Sequence, residues 1–108
     1  MRIWDIPVQQ LCNKHLIAQH FEIHCIYSIL TEGKRGFYNH PEVKRWLKHL
    51  GALILVHDRT VIEMIQRGFN HYTPLSKYTA YNYDYPKLWQ SVELQKELLR
   101  EKGCSCQI

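Results

Sequence analysis

Residues 8–30 read VQQLCNKHLIAQHFEIHCIYSIL. At about 100° per residue, Val8, Leu11, Cys12, Leu16, Ile23, Ile26, Ile29 and Leu30 share one side, so the spacing predicts an amphipathic helix with a core-facing stripe. His15, Gln19 and Glu22 fall inside the same arc at spacings of four and three, which stack them in one line. A carboxylate turned inward is costly unless it is paired or protonated. A cation or a hydrogen-bond donor must therefore meet Glu22, and such arrangements concentrate at active sites. His20 and His24 fall on the opposite side of this helix.

Outward from this stretch, Pro7 suits the first turn of the helix and Asp5 is a candidate cap. Residues 31–39 form a loop in which Gly33 and Gly36 flank Lys34 and Arg35. Asn39 and Pro41 announce a second helical region that runs through Trp46, Leu50, Leu53, His57, Val61 and Met64 to Gly68, with Gly51 as a bend or break. His57 lies in its apolar stripe. Residues 69–85 form an aromatic-rich loop containing Phe69, Tyr72, Tyr78, Tyr81, Tyr83 and Tyr85, and Pro86 opens a third helix from Lys87 to Lys102, closed by Gly103. No strand alternation competes. The expected fold is all-α: a compact bundle of two long helices and a shorter C-terminal one, with an aromatic-rich loop, in a single domain over residues 1–108.

Composition agrees with a folded domain: 108 residues, 45% apolar and 12% aromatic. No apolar run approaches the roughly 20 residues of a membrane span, and the N-terminus has no signal-peptide core, so an intracellular, cytoplasmic protein is expected. A net charge of +4, seven histidines and seven tyrosines suit nucleic acid, because cations meet phosphate and aromatic rings meet bases. Cys12 and Cys25 sit on one predicted helix about 20 Å apart, too far to bridge. The C-x-C pair of Cys104 and Cys106 could bind metal, but a frayed, reduced tail is the expectation. Nothing resembles a secreted disulfide framework.

Two accounts of Glu22 follow from the residues alone. In one it forms a structural salt bridge, with Arg2 or Arg59 for example. In the other it serves an amine, and the α-amino group of Met1 lies only seven residues before the helix. An α-amine has an ordinary pKa of about 7.7–8.0, so its neutral form is available as a nucleophile for Schiff-base chemistry. His20 and His24, four apart, could share a metal ion, but His20-Phe21-Glu22-Ile23-His24 is H-x-E-x-H rather than H-E-x-x-H, and no third ligand is evident. Surface histidines or phosphate contacts are the expectation, with no metal. Lys34 and Arg35 fit a phosphate clamp or an ordinary turn, the tyrosines a stacking surface or loop packing, and His57 a core position.

Several of these residues recur in order in a known family. Arg2-Ile3, His15-Leu16, Glu22, Gly33-Lys34-Arg35 and Arg67-Gly68-Phe69-Asn70 resemble the pyrimidine-dimer DNA glycosylases, of the phage endonuclease V type and its short prokaryotic relatives. The resemblance covers most of residues 1–75. It implies a compact all-α enzyme that flips a nucleotide out of the stack at an ultraviolet lesion. In that family the N-terminal amine attacks the sugar C1′, the base leaves, and the imine permits β-elimination, while a glutamate at the position of Glu22 orients the amine and moves protons. The resemblance thus implies Met1 and Glu22 as catalytic residues. Arg2, His15, Lys34 and Arg35, with His20 and Phe21, become contacts to double-stranded DNA carrying ultraviolet lesions or abasic sites, and no cofactor is needed. The bulky Arg2 predicts that Met1 is retained. Two departures stand out: Phe21 and Cys25 occupy positions where the family carries arginines, which removes phosphate contacts and offers Phe21 as an apolar wedge. The alternative is a non-catalytic helical module that binds nucleic acid or protein on the same fold.

Overall fold

A computed structural model describes residues 1–33, 39–70, 73–75 and 82–108. Among them are four α-helices and no strand: α1 (Asn13–Glu32), α2 (Pro41–Trp46), α3 (Leu50–Gln66) and α4 (Val92–Glu101), preceded by a 3-10 turn at Val8–Gln10. None of these helices is long and apolar enough to cross a membrane. The aromatic-rich loop lies partly outside the described residues, Tyr72, Tyr78 and Tyr81 included.

The element boundaries differ from the sequence expectation for local reasons. The first helix begins at Asn13 rather than near Val8, because Leu11 and Cys12 are extended (ψ 139° and 166°). Asp5 does not cap it, since its carboxylate is taken by Arg45. The second helical region breaks at Leu47–His49 and not at Gly51: Lys48 adopts φ 73°, and its carbonyl accepts a hydrogen bond from the Asn82 side chain. Gly51 stays inside α3 for another reason, as a Cβ there would run into the Asn82 carbonyl and the Tyr83 ring. The third helix starts at Val92, where Ser91 Oγ accepts from the Leu94 amide as an N-cap.

Two buried clusters make the core. The first joins α1, α2 and α3 through Ile23, Ile26, Trp46, Leu53 and Val56, with Ile3 of the lead-in pressed among them. The second gathers Trp4, Leu11, Leu16, Met64 and Leu99, and Cys104, Cys106 and Ile108 pack against it. The C-terminal tail is therefore not frayed: the Gln107 amide donates to the Gln10 carbonyl at 2.7 Å. Arg67 ties the end of α3 to this region, reaching Glu63 at 2.8 Å, Asn13 at 3.0 Å and the Val8 and Gln9 carbonyls at 3.3 Å.

The lead-in is irregular, so its polar backbone needs partners, and its anchor is Arg45 on α2. The side chain is only 3% exposed. It grips both oxygens of Asp5 at 2.9 Å, Glu42 at 2.6 Å and the Ile3 carbonyl at 3.3 Å. Glu42 also accepts from the Trp46 indole at 2.8 Å, and Asp5 from Gln95 and Tyr85. Burial opposes the guanidinium charge, but Glu42 and Asp5 more than offset it and raise the Arg45 pKa. Removing one member of such a buried set leaves the others uncompensated. Arg45→Met is expected to lower unfolding stability by about 3–5 kcal/mol, read as a lower urea midpoint, whereas Lys44→Met on the exposed face of α2 leaves that midpoint nearly unchanged.

Candidate active site and neighbouring side-chain clusters

The inward line of α1 divides into three local environments. Gln19, 2% exposed, accepts from the Trp4 amide at 2.8 Å and donates to Thr60 on α3 at 3.4 Å. An apolar residue here would leave that backbone donor unsatisfied. Gln19 is thus the polar stitch that lays the lead-in across α1 and α3.

One turn on, Glu22 opens onto a cavity of about 620 Å³ whose lining includes Met1, Phe21, His24, Ser28 and His40. Met1 reaches it because the lead-in runs back along α1. Neither expected salt-bridge partner is there: Arg2 stacks over the Trp4 ring at 4.3 Å and donates to Gln90, and no described residue forms a hydrogen bond or ion pair with Glu22. The inward carboxylate has solvent and an open cavity where a structural role would place a cation. Phe21 stands on the rim, 65% exposed. Cys25 also lines the cavity. Lys34 and Arg35 lie outside the described residues.

Four residues before Gln19, His15 sits in a different place. It lines a separate cavity of about 920 Å³ with Cys12, Lys14, Lys102 and Cys104, away from Met1 and Glu22. Its Nδ1 is 3.1 Å from Cys12 Sγ and 3.4 Å from Cys106 Sγ, and its ring meets Trp4 edge-on at 6.2 Å. Burial, together with Lys102 and Lys14, holds its pKa below the ordinary histidine value. The thiols influence one another: burial, with the Cys104 and Cys12 thiols, pushes Cys106 up to about 12 against the pull of the Cys12 amide. Burial acts the same way on Cys12, but hydrogen bonds, chiefly from the His15 backbone, outweigh it and bring that thiol down.

The histidines also depart from the sequence reading. His20, expected on the surface as a DNA contact, is only 8% exposed, because α1 turns it toward α3. There it meets His24 and His57, the latter 3% exposed as its apolar stripe implied. The His24 Nε2 is 3.2 Å from those of both His20 and His57, and all three face the Thr73 carbonyl at 3.2, 2.8 and 3.2 Å for His20, His24 and His57. Burial pushes His20 and His24 below the ordinary histidine pKa against the pull of that carbonyl, and the neighbouring imidazoles add to the effect. The third histidine that the H-x-E-x-H string lacked comes from α3, 33 residues further on. Only its place in an apolar stripe hinted at it.

Comparison with known proteins gives one positive finding. The model of the pyrimidine dimer DNA glycosylase family matches residues 1–77, which include α1, α2, α3 and both catalytic candidates. Neither the curated proteins nor the solved structures gave a match. The matched span is well over half of the 108 residues, and the chain belongs to the pyrimidine dimer DNA glycosylase family.

Proposed function

We propose that this protein is a DNA repair glycosylase with abasic-site lyase activity on cyclobutane pyrimidine dimers, and that the Met1 α-amine is its nucleophile. The observation that carries the reading is the shared cavity of Met1 and Glu22, in which Glu22 has no partner among the described residues. The cavity is open enough to admit a nucleotide extruded from the stack.

The steps follow from the chemistry of an amine and a carboxylate. The neutral Met1 amine, freed of any formyl group, attacks C1′. The N–C1′ bond forms as the glycosidic bond breaks, and the leaving pyrimidine takes a proton. Opening of the sugar then gives an imine between Met1 and C1′, with the former ring oxygen protonated. The imine acidifies the C2′ proton, Glu22 removes it, and the C3′–O bond breaks to release the 3′ phosphate. Glu22 accepts a proton from the amine before attack, passes it to the leaving pyrimidine, and as a carboxylate again takes the C2′ proton, a general acid–base role. Arg2, Lys34 and Arg35 supply cationic contacts to DNA, and exposed Phe21 fills the space left by the extruded nucleotide.

Two experiments test this reading. Borohydride trapping of untagged protein on a duplex with a single abasic site is expected to give a covalent adduct, mapped by mass spectrometry to the Met1 α-amine. An N-terminally acetylated protein gives none. Folded protein with a free N-terminus that forms no adduct returns the chain to the class of binding modules. Glu22→Gln is expected to slow single-turnover strand cleavage by about 10²–10⁴-fold while binding to a thymine-dimer duplex is little changed. Cleavage at the wild-type rate removes Glu22 from the mechanism.

A further inference from the structure

We propose that Cys12, His15, Cys104 and Cys106 form a binding site for a divalent metal ion of the zinc class, which closes the C-terminal tail onto the start of α1. One ligand atom from each residue lies within 4.8 Å of the other three. Three sulfurs and one imidazole nitrogen are a structural zinc set. With Zn–S near 2.3 Å and Zn–N near 2.0–2.1 Å, a tetrahedral site has S···N edges of about 3.6 Å and S···S edges of about 3.8 Å. The His15 Nδ1 edges to Cys12 and Cys106, at 3.1 and 3.4 Å, need to open only by tenths of an ångström.

The surroundings suit the charge as well. Three thiolates and a neutral imidazole around a divalent ion carry a net charge of −1, and Lys14 and Lys102 line the same cavity. The Cys12 amide donates to Cys106 Sγ at 3.1 Å, an N–H···S bond that favours the thiolate. The Gln107–Gln10 backbone bond holds the tail in register beside it. Cys12 and Cys106 are 94 residues apart, so the ion would close a loop of nearly the whole chain, the kind of constraint that most restricts the unfolded ensemble. Both tail ligands lie beyond residue 77, outside the family match.

The test is metal analysis and cobalt substitution of the untagged protein purified under reducing conditions without chelator. The expected result is bound zinc by plasma mass spectrometry, and a thiolate-to-cobalt charge-transfer band when Co²⁺ replaces it. The C104S/C106S variant is expected to lose the band and one equivalent of metal. Wild-type protein that shows no such band with Co²⁺ overturns the proposal, a result that does not depend on the variant folding. So does a folded C104S/C106S variant with wild-type metal content.

An independent observation points to a second ion, held by His20, His24, His57 and the Thr73 carbonyl. The His57 Nδ1 faces Asp58 Oδ1 at 3.1 Å. In the neutral ring that contact favours the proton on Nδ1, so that Nε2, 3.2 Å from the Thr73 oxygen, can serve as a ligand atom. The Nε2···Nε2 separations of 3.2 Å match the tetrahedral N···N edge of about 3.3 Å, and carboxylate–histidine–metal is a recurring outer-shell arrangement. In wild-type protein two equivalents of metal are expected. C104S/C106S should keep one, and adding His57→Ala should remove it. One equivalent in wild type together with a full thiolate band overturns the histidine site, and so does a folded C104S/C106S variant without metal.

Discussion

The buried guanidinium of Arg45 is the constraint on which the rest of the molecule depends. The first seven residues have no regular structure, yet they must lie across α1 with Met1 at a defined place. Hydrophobic burial of Ile3 and Trp4 holds them down but is non-directional. Direction comes from Arg45, whose planar fork fixes both oxygens of Asp5 and the Ile3 carbonyl at once. Asp5 in turn draws in Gln95 from α4 and Tyr85 from the segment before it. One side chain on a six-residue helix thus aligns the lead-in, the C-terminal helix and the preceding segment. Under the proposed function the Met1 amine must meet a substrate atom within ångströms, and such an anchor would hold it there.

Gln19 completes the arrangement from the other side. It holds the Trp4 amide, three residues from the chain start, while Arg45 holds Ile3 and Asp5. The lead-in is clamped on both sides of Trp4, and Met1 projects beyond the clamp into the Glu22 cavity. The polar line read along α1 is therefore a division of labour among a tail-facing imidazole, a stitching amide and a cavity-facing carboxylate. All three lie on one helix face because all three serve segments that cross that face.

The helical class and the inward character of Gln19 and His57 were legible from periodicity, since burial follows the 3.6-residue repeat, whereas Glu22 is half-buried and opens on a cavity. The helix starts were not. The extended conformation at Leu11 and Cys12, the left-handed Lys48 and the Ser91 cap are decided by tertiary partners such as Asn82, which no local pattern reveals. The same limit governs the site. Glu22 could be singled out because its anomaly is local. The meeting of His20 and His24 with His57, or of Cys12 and His15 with the tail, depends on separations of 33 and 94 residues. A tail bearing C-x-C looks frayed until α4 brings it back against Leu16 and Met64.

Phe21 and Cys25 line the cavity of Met1 and Glu22, and the exposed ring of Phe21 gives its rim an apolar face. The net charge of +4 still draws the protein to DNA over distances of about a Debye length, near 10 Å at moderate salt. Close to the lesion the balance changes, because inserting a ring between bases gains stacking and desolvation rather than counterion release. A uniform duplex resists that insertion most, and a damaged or abasic site resists it least, since its stacking is already broken. Under the proposed function, an exposed ring at the rim therefore favours a lesion over intact DNA and places discrimination in the stack itself.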